Sequence, residues 1–363
     1  MRQYFKKARA AFISGFTFNK KSVWYTAILL SVSALAYTEW AVFSGLIFQI
    51  PERYLLRDPM DDSTHVSYAL NRLATSQDGS FPVYLLGGSS IREATVSNVK
   101  LNERLGELGS ALKIEKLPVL AHTPIDVLHV IENLPKGEGL LIYGISLLSF
   151  SQDPSDYIIR LDDFTLERKS PLLLAVLKEE GISWSPVFLQ TSRLFLHFQQ
   201  WLTRRSGPIS QFSFSIDYKG SLYRDHDIPK IVGKALESWL ESLEHDISDF
   251  KKYKESNLRV LQRAFASAHQ KGITVVLLPM PMNRVGSSME KPILPILQDL
   301  IGELAKMPNI SVWQARGKVG LTEEDFQDPI HFGDSGKEKF TKWLLANISK
   351  FYGQKHWGGK LRR

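Results

Sequence analysis

Two short runs, Val83-Tyr84-Leu85-Leu86 and Ile273-Thr274-Val275-Val276-Leu277-Leu278, carry apolar side chains on both strand faces. A strand of this kind has no face to offer water, so it belongs inside a parallel sheet covered by helices on both sides. Each run stops abruptly, the first at Gly87-Gly88-Ser89-Ser90 and the second at Pro279-Met280-Pro281. Helix-like and strand-like stretches alternate around them. Helix patterns cover His65 to Thr75, Asn98 to Leu112 and Ile125 to Leu134, with short strands at Leu117 to Leu120 and Gly139 to Gly144. A mixed-charge helix runs from Ala235 to Lys271, with Gly272 at its stop position. A helix from Leu294 to Lys306, a strand from Ile310 to Trp313 and a final helix from Ser335 to Phe351 complete the series. The alternation predicts an α/β fold built on one doubly wound parallel sheet. Residues 146–230, rich in aromatic and mixed helical segments such as Pro186 to Leu202, read as an insertion.

The chain has 363 residues, 44% of them apolar, enough to build one large core or two. It contains no cysteine, which excludes disulfides, thiolate zinc sites and cysteine nucleophiles. The net charge of +7 gathers at the ends, in Arg2, Lys6, Lys7, Arg9, Lys20 and Lys21 and in the tail from Lys355 to Arg363. That distribution lacks the interior basic stripe with aromatics that nucleic acid would call for, so no nucleic-acid partner is expected.

From Val23 to Ile50 the one formally charged residue is Glu39, and Trp24, Tyr25, Tyr37 and Trp40 stand near plausible interfaces. A bilayer core of roughly 30 Å needs about 20 apolar residues. The expectation is therefore a transmembrane helix over 23–48, and the rival is a buried core hairpin. A basic flank before it and Pro51-Glu52 after it place residues 1–22 in the cytoplasm and the body outside. The protein would then be single-pass in the cytoplasmic (inner) membrane with its C-terminal body periplasmic. A cleavable signal peptide fits less well, because the run is long and no small-x-small site follows it. Residues 49–80 read as a connector and 352–363 as a basic tail.

The chemistry concentrates in two places. Ser89 follows an apolar strand, and Asp328-Pro329-Ile330-His331 lies just ahead of the last helix. In an open α/β sheet functional groups gather at the carboxyl ends of the strands, where both would fall. A serine hydroxyl becomes a nucleophile when a histidine takes its proton and a carboxylate holds that imidazole in the right tautomer. Ser89, His331 and Asp328 supply the three groups, and the glycines before Ser89 let backbone N–H groups face an oxyanion. Other candidates have blander readings. Asp225-His226-Asp227 could ligate a metal but lies in a polar loop and reads first as a solvated turn, and no metal or cofactor is expected. Phe188, Phe195, Phe198 and Trp201 fall near helical spacing, as core or as a sugar platform. Arg204-Arg205 reads as a solvated helix end or an anion contact, and Asn283-Arg284 could point into the cleft.

Leu86-Gly87-Gly88-Ser89-Ser90-Ile91-Arg92-Glu93 resembles the first block of the SGNH/GDSL hydrolases, with Gly88 where an aspartate usually stands. Asp328-Pro329-Ile330-His331-Phe332 resembles their last block, Asp-x-x-His. The resemblance implies a flavodoxin-like three-layer sandwich over 81–351, with Ser89 as nucleophile, His331 as general base and Asp328 as its orienter. Ser90 is a rival nucleophile. The chain departs from the family at the second block, Ala121-His122-Thr123-Pro124, and at the third, Tyr143-Gly144-Ile145-Ser146, which has no asparagine. The oxyanion hole would then rest on Gly88 and Ser90 backbone, with His122 or Ser146 helping. With an anchor and an insertion, the resemblance points to envelope-polymer acyltransferases and esterases of the alginate O-acetyltransferase or teichoic acid D-alanyl transfer kind. It implies an acylated cell-envelope polysaccharide as substrate and a multi-pass membrane acyltransferase as partner. A catalytically inactive, membrane-tethered glycan-binding or scaffolding relative is the alternative.

Overall fold

The computed structural model describes residues 21–52, 62–76, 79–107, 111–118, 123–154, 170–182 and 233–357. Helix α1 (Lys21–Phe43) leads, and helix α2 (Asp62–Thr75) follows the connector. The sheet region then runs β1 (Phe81–Gly87), α3 (Ser89–Glu93), α4 (Asn98–Glu107), β2 (Leu112–Pro118), α5 (Pro124–Asn133) and β3 (Gly139–Ile145). Short helices α6 (Leu148–Ser151) and α7 (Pro171–Glu179) lie in the expected insertion. The chain continues through α8 (Lys234–Gln270), β4 (Ile273–Pro279), α9 (Arg284–Glu290), α10 (Leu294–Ala305), β5 (Ile310–Val312) and α11 (Asp334–Trp357).

Among the described residues five strands are parallel and stand in the order β2-β1-β3-β4-β5. This is the flavodoxin-like order, in which the chain leaves β1 toward one edge and later returns to its other side. Both-face apolarity of the inner strands has the expected cause. Tyr84 and Leu86, Leu141 and Tyr143, and Val275 and Leu277 pack into one core with α5, α8 and α10. The alternate positions Val83 and Leu85, Leu140 and Ile142, and Val276 and Leu278 pack into a second core with α4 and α11. The sheet is thus sandwiched between two helical layers.

One expectation needs correction. The strand placed at Leu117 to Leu120 begins at Leu112, and the helix before it ends at Glu107. Leu101, Leu105 and Leu112 fit a helical period, but β2 is an edge strand whose Leu112 and Ile114 join the second core. Lys113, Glu115 and Lys116 disguised it.

The expected span over 23–48 falls on α1 and the turn after it. The helix stops at Phe43, Gly45 takes φ +76, and a 3-10 turn runs over Leu46–Gln49. Thr26, Ser31, Ser33, Thr38 and Glu39 dilute the apolar run. Among the described residues no helix is long and apolar enough to cross a membrane. Even so, Trp24, Tyr25, Ile28, Leu29, Leu30, Val32, Tyr37 and Trp40 of α1 are exposed. Its last turn is anchored, since Val42 packs with Ile47, Phe48 and Tyr68. The Tyr68 hydroxyl also donates to the Ile50 carbonyl at 2.6 Å.

Candidate active site

The turn after β1 is built by glycines. Gly87 has φ +149, a region that L side chains rarely adopt, and a Cβ there would lie 2.6 Å from Ile91 Cγ2 and 3.0 Å from the Gly144 carbonyl oxygen. Gly144, paired with Gly87 across β1 and β3, is equally tight, its added Cβ falling 2.7 Å from Ile91 Cβ. The two glycines therefore let α3 settle onto the sheet through Ile91, with Ser89 as its first residue. Gly144→Ala is expected to lower unfolding stability by about 1–3 kcal/mol through overpacking. Gly106→Ala, on open helix surface with nothing within 4 Å, should be neutral or slightly stabilising. Thermal unfolding of the two variants checks this.

Buried charge holds α3 from behind. Arg92 Nη1 donates to Asp62 Oδ2 of α2 at 2.7 Å, and Nη2 donates to Glu93 Oε1 at 2.9 Å. Lys116 is also buried, and its ammonium donates to the carbonyls of Arg92, Thr95 and Val96 at 2.8, 3.3 and 3.2 Å. Burial, followed by the Arg92 charge, pushes the Lys116 amine well below its ordinary range.

The second half of the site is the loop between β5 and α11. Phe326 and Phe332 form an antiparallel bridge with their rings edge-on, and Phe332 stacks toward Phe340 of α11. The head of α9 grips the loop from outside, with the Asn283 N–H donating to the Pro329 carbonyl at 3.0 Å. Asn283 caps α9 by accepting from the Gly286 N–H, and the Arg284 N–H goes to Glu323. Neither residue lines the cleft, contrary to the expectation that they could point into it.

Within this loop Asp328 Oδ1 accepts from the backbone N–H groups of Ile330 and His331, each at 2.8 Å. Its Oδ2 lies 2.6 Å from His331 Nδ1, and His331 Nε2 lies 2.8 Å from Ser89 Oγ. Burial alone would raise the Asp328 carboxyl. The hydrogen bond and charge of His331, with the two N–H groups, outweigh it and hold the carboxyl below its ordinary value. An ionised carboxylate can only accept, so Nδ1 carries a proton, and in the tautomer that leaves Nε2 bare the Ser89 hydroxyl donates to it.

The cleft over these groups has a volume of about 190 Å³. It lies at the carboxyl ends of β1, β3 and β4, beside the point where strand order reverses, the usual ligand position in such sheets. Ser90 and Ser146 line it beside Ser89 and His331, with Leu147, Leu148, Met280 and Ile330. It is Ser89, rather than its rival Ser90, whose hydroxyl bonds His331. The Ser146 N–H is already donated to Ser149 Oγ at 3.1 Å, so it is not free for an oxyanion. Gly88 is the N-cap of α3, in extended conformation. His122, Asp225-His226-Asp227, the aromatics from Phe188 to Trp201 and Arg204-Arg205 lie outside the described residues. Among the described residues no group of acidic and imidazole side chains could hold a metal ion.

Three contributors escaped the reading of the sequence. Asp325 ties the loop to α11, and Lys116 hides in an edge strand. Asp246 lines the cleft from α8 with Ser242 and Leu243. Signals existed for two of them. Thr322 and Asp325 have capping-box spacing. Leu243, Asp246 and Phe250 share a helical stripe, which puts a carboxylate among apolar positions.

No family model and no characterised protein sequence matches the chain. Among solved structures, the lipase Lip_vut3 from a goat rumen metagenome aligns at 10% identity over 74% of this chain and 97% of its own, with a TM-score of 0.30. A likeness at that score carries no argument about fold or function.

Proposed function

We propose that the protein is a serine esterase or O-acyltransferase acting on acyl, first of all acetyl, groups of a cell-envelope polysaccharide. The single observation carrying this reading is the unbroken chain of hydrogen bonds from Asp328 through His331 to Ser89, open to a cleft. In the mechanism, Ser89 Oγ attacks the ester carbonyl while His331 Nε2 takes its proton. Asp328 keeps Nδ1 protonated and balances the imidazolium. The tetrahedral oxyanion faces the N–H groups that open α3, which like those of any first turn lack an intrahelical acceptor. His331 then returns the proton to the leaving alcohol, and an acyl group remains on Ser89. Water or a sugar hydroxyl, deprotonated by the same imidazole, resolves the acyl-enzyme and frees the serine. No cofactor enters these steps.

The exposed apolar side chains around α1 support attachment to a membrane, with the body on the extracytoplasmic side and a multi-pass acyltransferase as donor partner. The full chain is expected to co-sediment with phospholipid vesicles, and the paired change Leu29→Lys and Leu30→Lys should cut the bound fraction severalfold. Equal sedimentation of both proteins would count against the anchor.

The activity is tested by incubating the full chain with an acetylated polysaccharide and measuring released acetate or its transfer to an added glycan. Release that depends on Ser89 supports the reading. The engaged Ser146 N–H favours a second one, in which a non-catalytic relative binds or scaffolds glycans. Saturable glycan binding without any turnover would select it. D-alanyl ester transfer to teichoic acid differs in acyl group and carrier, and is separated by offering that ester instead.

A further inference from the structure

We propose that Asp246 is the specificity residue of the cleft, selecting an ester or thioester that bears a protonated amine or quaternary ammonium in its acyl or alcohol portion. This rests on the proposed hydrolase reading for the identity of the reacting bond and narrows its substrate to an ester whose acyl group or alcohol portion, an amino sugar included, carries the cation. Asp246 and His331 are the ionisable side chains among the described residues lining the cleft. His331 is committed on both sides, to Asp328 and to Ser89. The neighbours of Asp246 on α8, His245 and Asp249, pair with each other at 3.3 Å across one turn. Asp246 has no hydrogen-bond or ion-pair partner among the described residues. It is half-buried, beside the buried Leu243 and with Leu147 and Met280 also in the lining.

A carboxylate taken partly out of water and left without a cation is costly, and a counter-charge within contact removes that cost. Consistent with this, burial pushes the Asp246 carboxyl up to about 6, with His245 lowering it and Asp249 raising it. A neutral hydroxyl would satisfy a lone pair but leave the charge uncompensated. An ammonium supplies both, so Asp246 favours a cation over a neutral hydroxyl at the same place. The Ser242 hydroxyl, one turn away on the same cleft wall, adds an acceptor for an N–H donor.

The test measures binding in the full chain carrying Ser89→Ala, so that turnover does not intervene. Two isosteric pairs serve as probes. Acetylthiocholine is compared with 3,3-dimethylbutyl thioacetate, and glycine ethyl ester with ethyl propionate. At pH 7.5 the cationic member of at least one pair is expected to bind about tenfold tighter, the effect of one charged contact. Adding Asp246→Asn should erase that preference, and so should lowering the pH through about 6, where the carboxyl protonates. The other ionisable groups near Asp246 are His245 and Asp249 on α8 and His331 across the cleft, and the Asp246→Asn comparison at each pH cancels their contribution. An unchanged unfolding midpoint shows that Asp246→Asn folds. Equal or undetectable binding of both members in both pairs overturns the proposal, as does a preference that survives Asp246→Asn. A cation preference without turnover in the Ser89 protein would sink the enzyme reading and leave the cation site standing.

Discussion

Replacing Ser89 with alanine is expected to reduce p-nitrophenyl acetate hydrolysis by about 10⁴–10⁶-fold, because the three groups act as a unit. His331→Ala should cost as much, since Nε2 is the group bonded to the Ser89 hydroxyl. Asp328→Asn should cost about 10⁴-fold, because an amide that donates toward Nδ1 selects the wrong tautomer. Ser90→Ala should keep most of the activity. Ser90 is buried beside the cleft, and the bond to His331 belongs to its neighbour. Initial rates of the four variants against wild type check the series. Loss of activity in Ser90→Ala with retention in Ser89→Ala would invert the assignment.

The largest expected effect on stability away from these groups lies at Asp325. Its Oδ1 accepts from Ser335 Oγ at 2.7 Å, and its Oδ2 accepts from Lys339 Nζ and the Thr322 N–H, each at 2.7 Å. Its carbonyl accepts from the Gly333 N–H at 2.8 Å. One residue thus joins the loop carrying His331 to the first turns of α11. The fit is close, because a Cβ on Gly336 would fall 2.3 Å from the Asp325 carbonyl oxygen. Asp325→Ala strands these donors and should destabilise the protein by roughly 3 kcal/mol. It should also slow ester hydrolysis about 10²-fold, the usual cost of shifting a catalytic group by an ångström.

The acid dependence of that change has a defined sign. Burial alone would raise the Asp325 carboxyl, but Lys339, Thr322 and Ser335 bring it down to about 2. An aspartate in the unfolded chain titrates near ~3.9. The folded form therefore binds its proton less readily, and the stabilisation is fully present above the unfolded value. It is lost as pH falls through about 2. Chemical denaturation at several pH values should give a wild-type advantage over Asp325→Ala that is constant from neutral pH to about 5 and shrinks toward pH 2.

Much of the sheet could be read from the chain because its inner strands are apolar on both faces, and such strands have few other places to go. Helices ending at a glycine stop, such as α8 before Gly272 with φ +85, were equally legible. The edge strand β2 was not, since Lys116 looks like a surface residue and is in fact the buried donor to three carbonyls. The meeting of Ser89 with His331, 242 residues apart, could be expected from chemistry and from the family resemblance, because a serine closes an apolar strand and a carboxylate and an imidazole stand three residues apart ahead of the last helix. What pattern could not supply was register in space. The capture of the Ser146 N–H by Ser149, and the turn of α8 that aims Asp246 at the cleft, are products of packing. The exposed α1 was found by hydropathy, yet its serines, threonines and Glu39 leave it short of a spanning helix among the described residues.

The most direct test of the central assignment is covalent labelling of the full chain with a fluorophosphonate, followed by mass spectrometry of the modified peptide. The account predicts one adduct on Ser89, formed only when His331 is intact and absent from Ser89→Ala. An adduct on Ser90, or no adduct on folded wild-type protein, would contradict it.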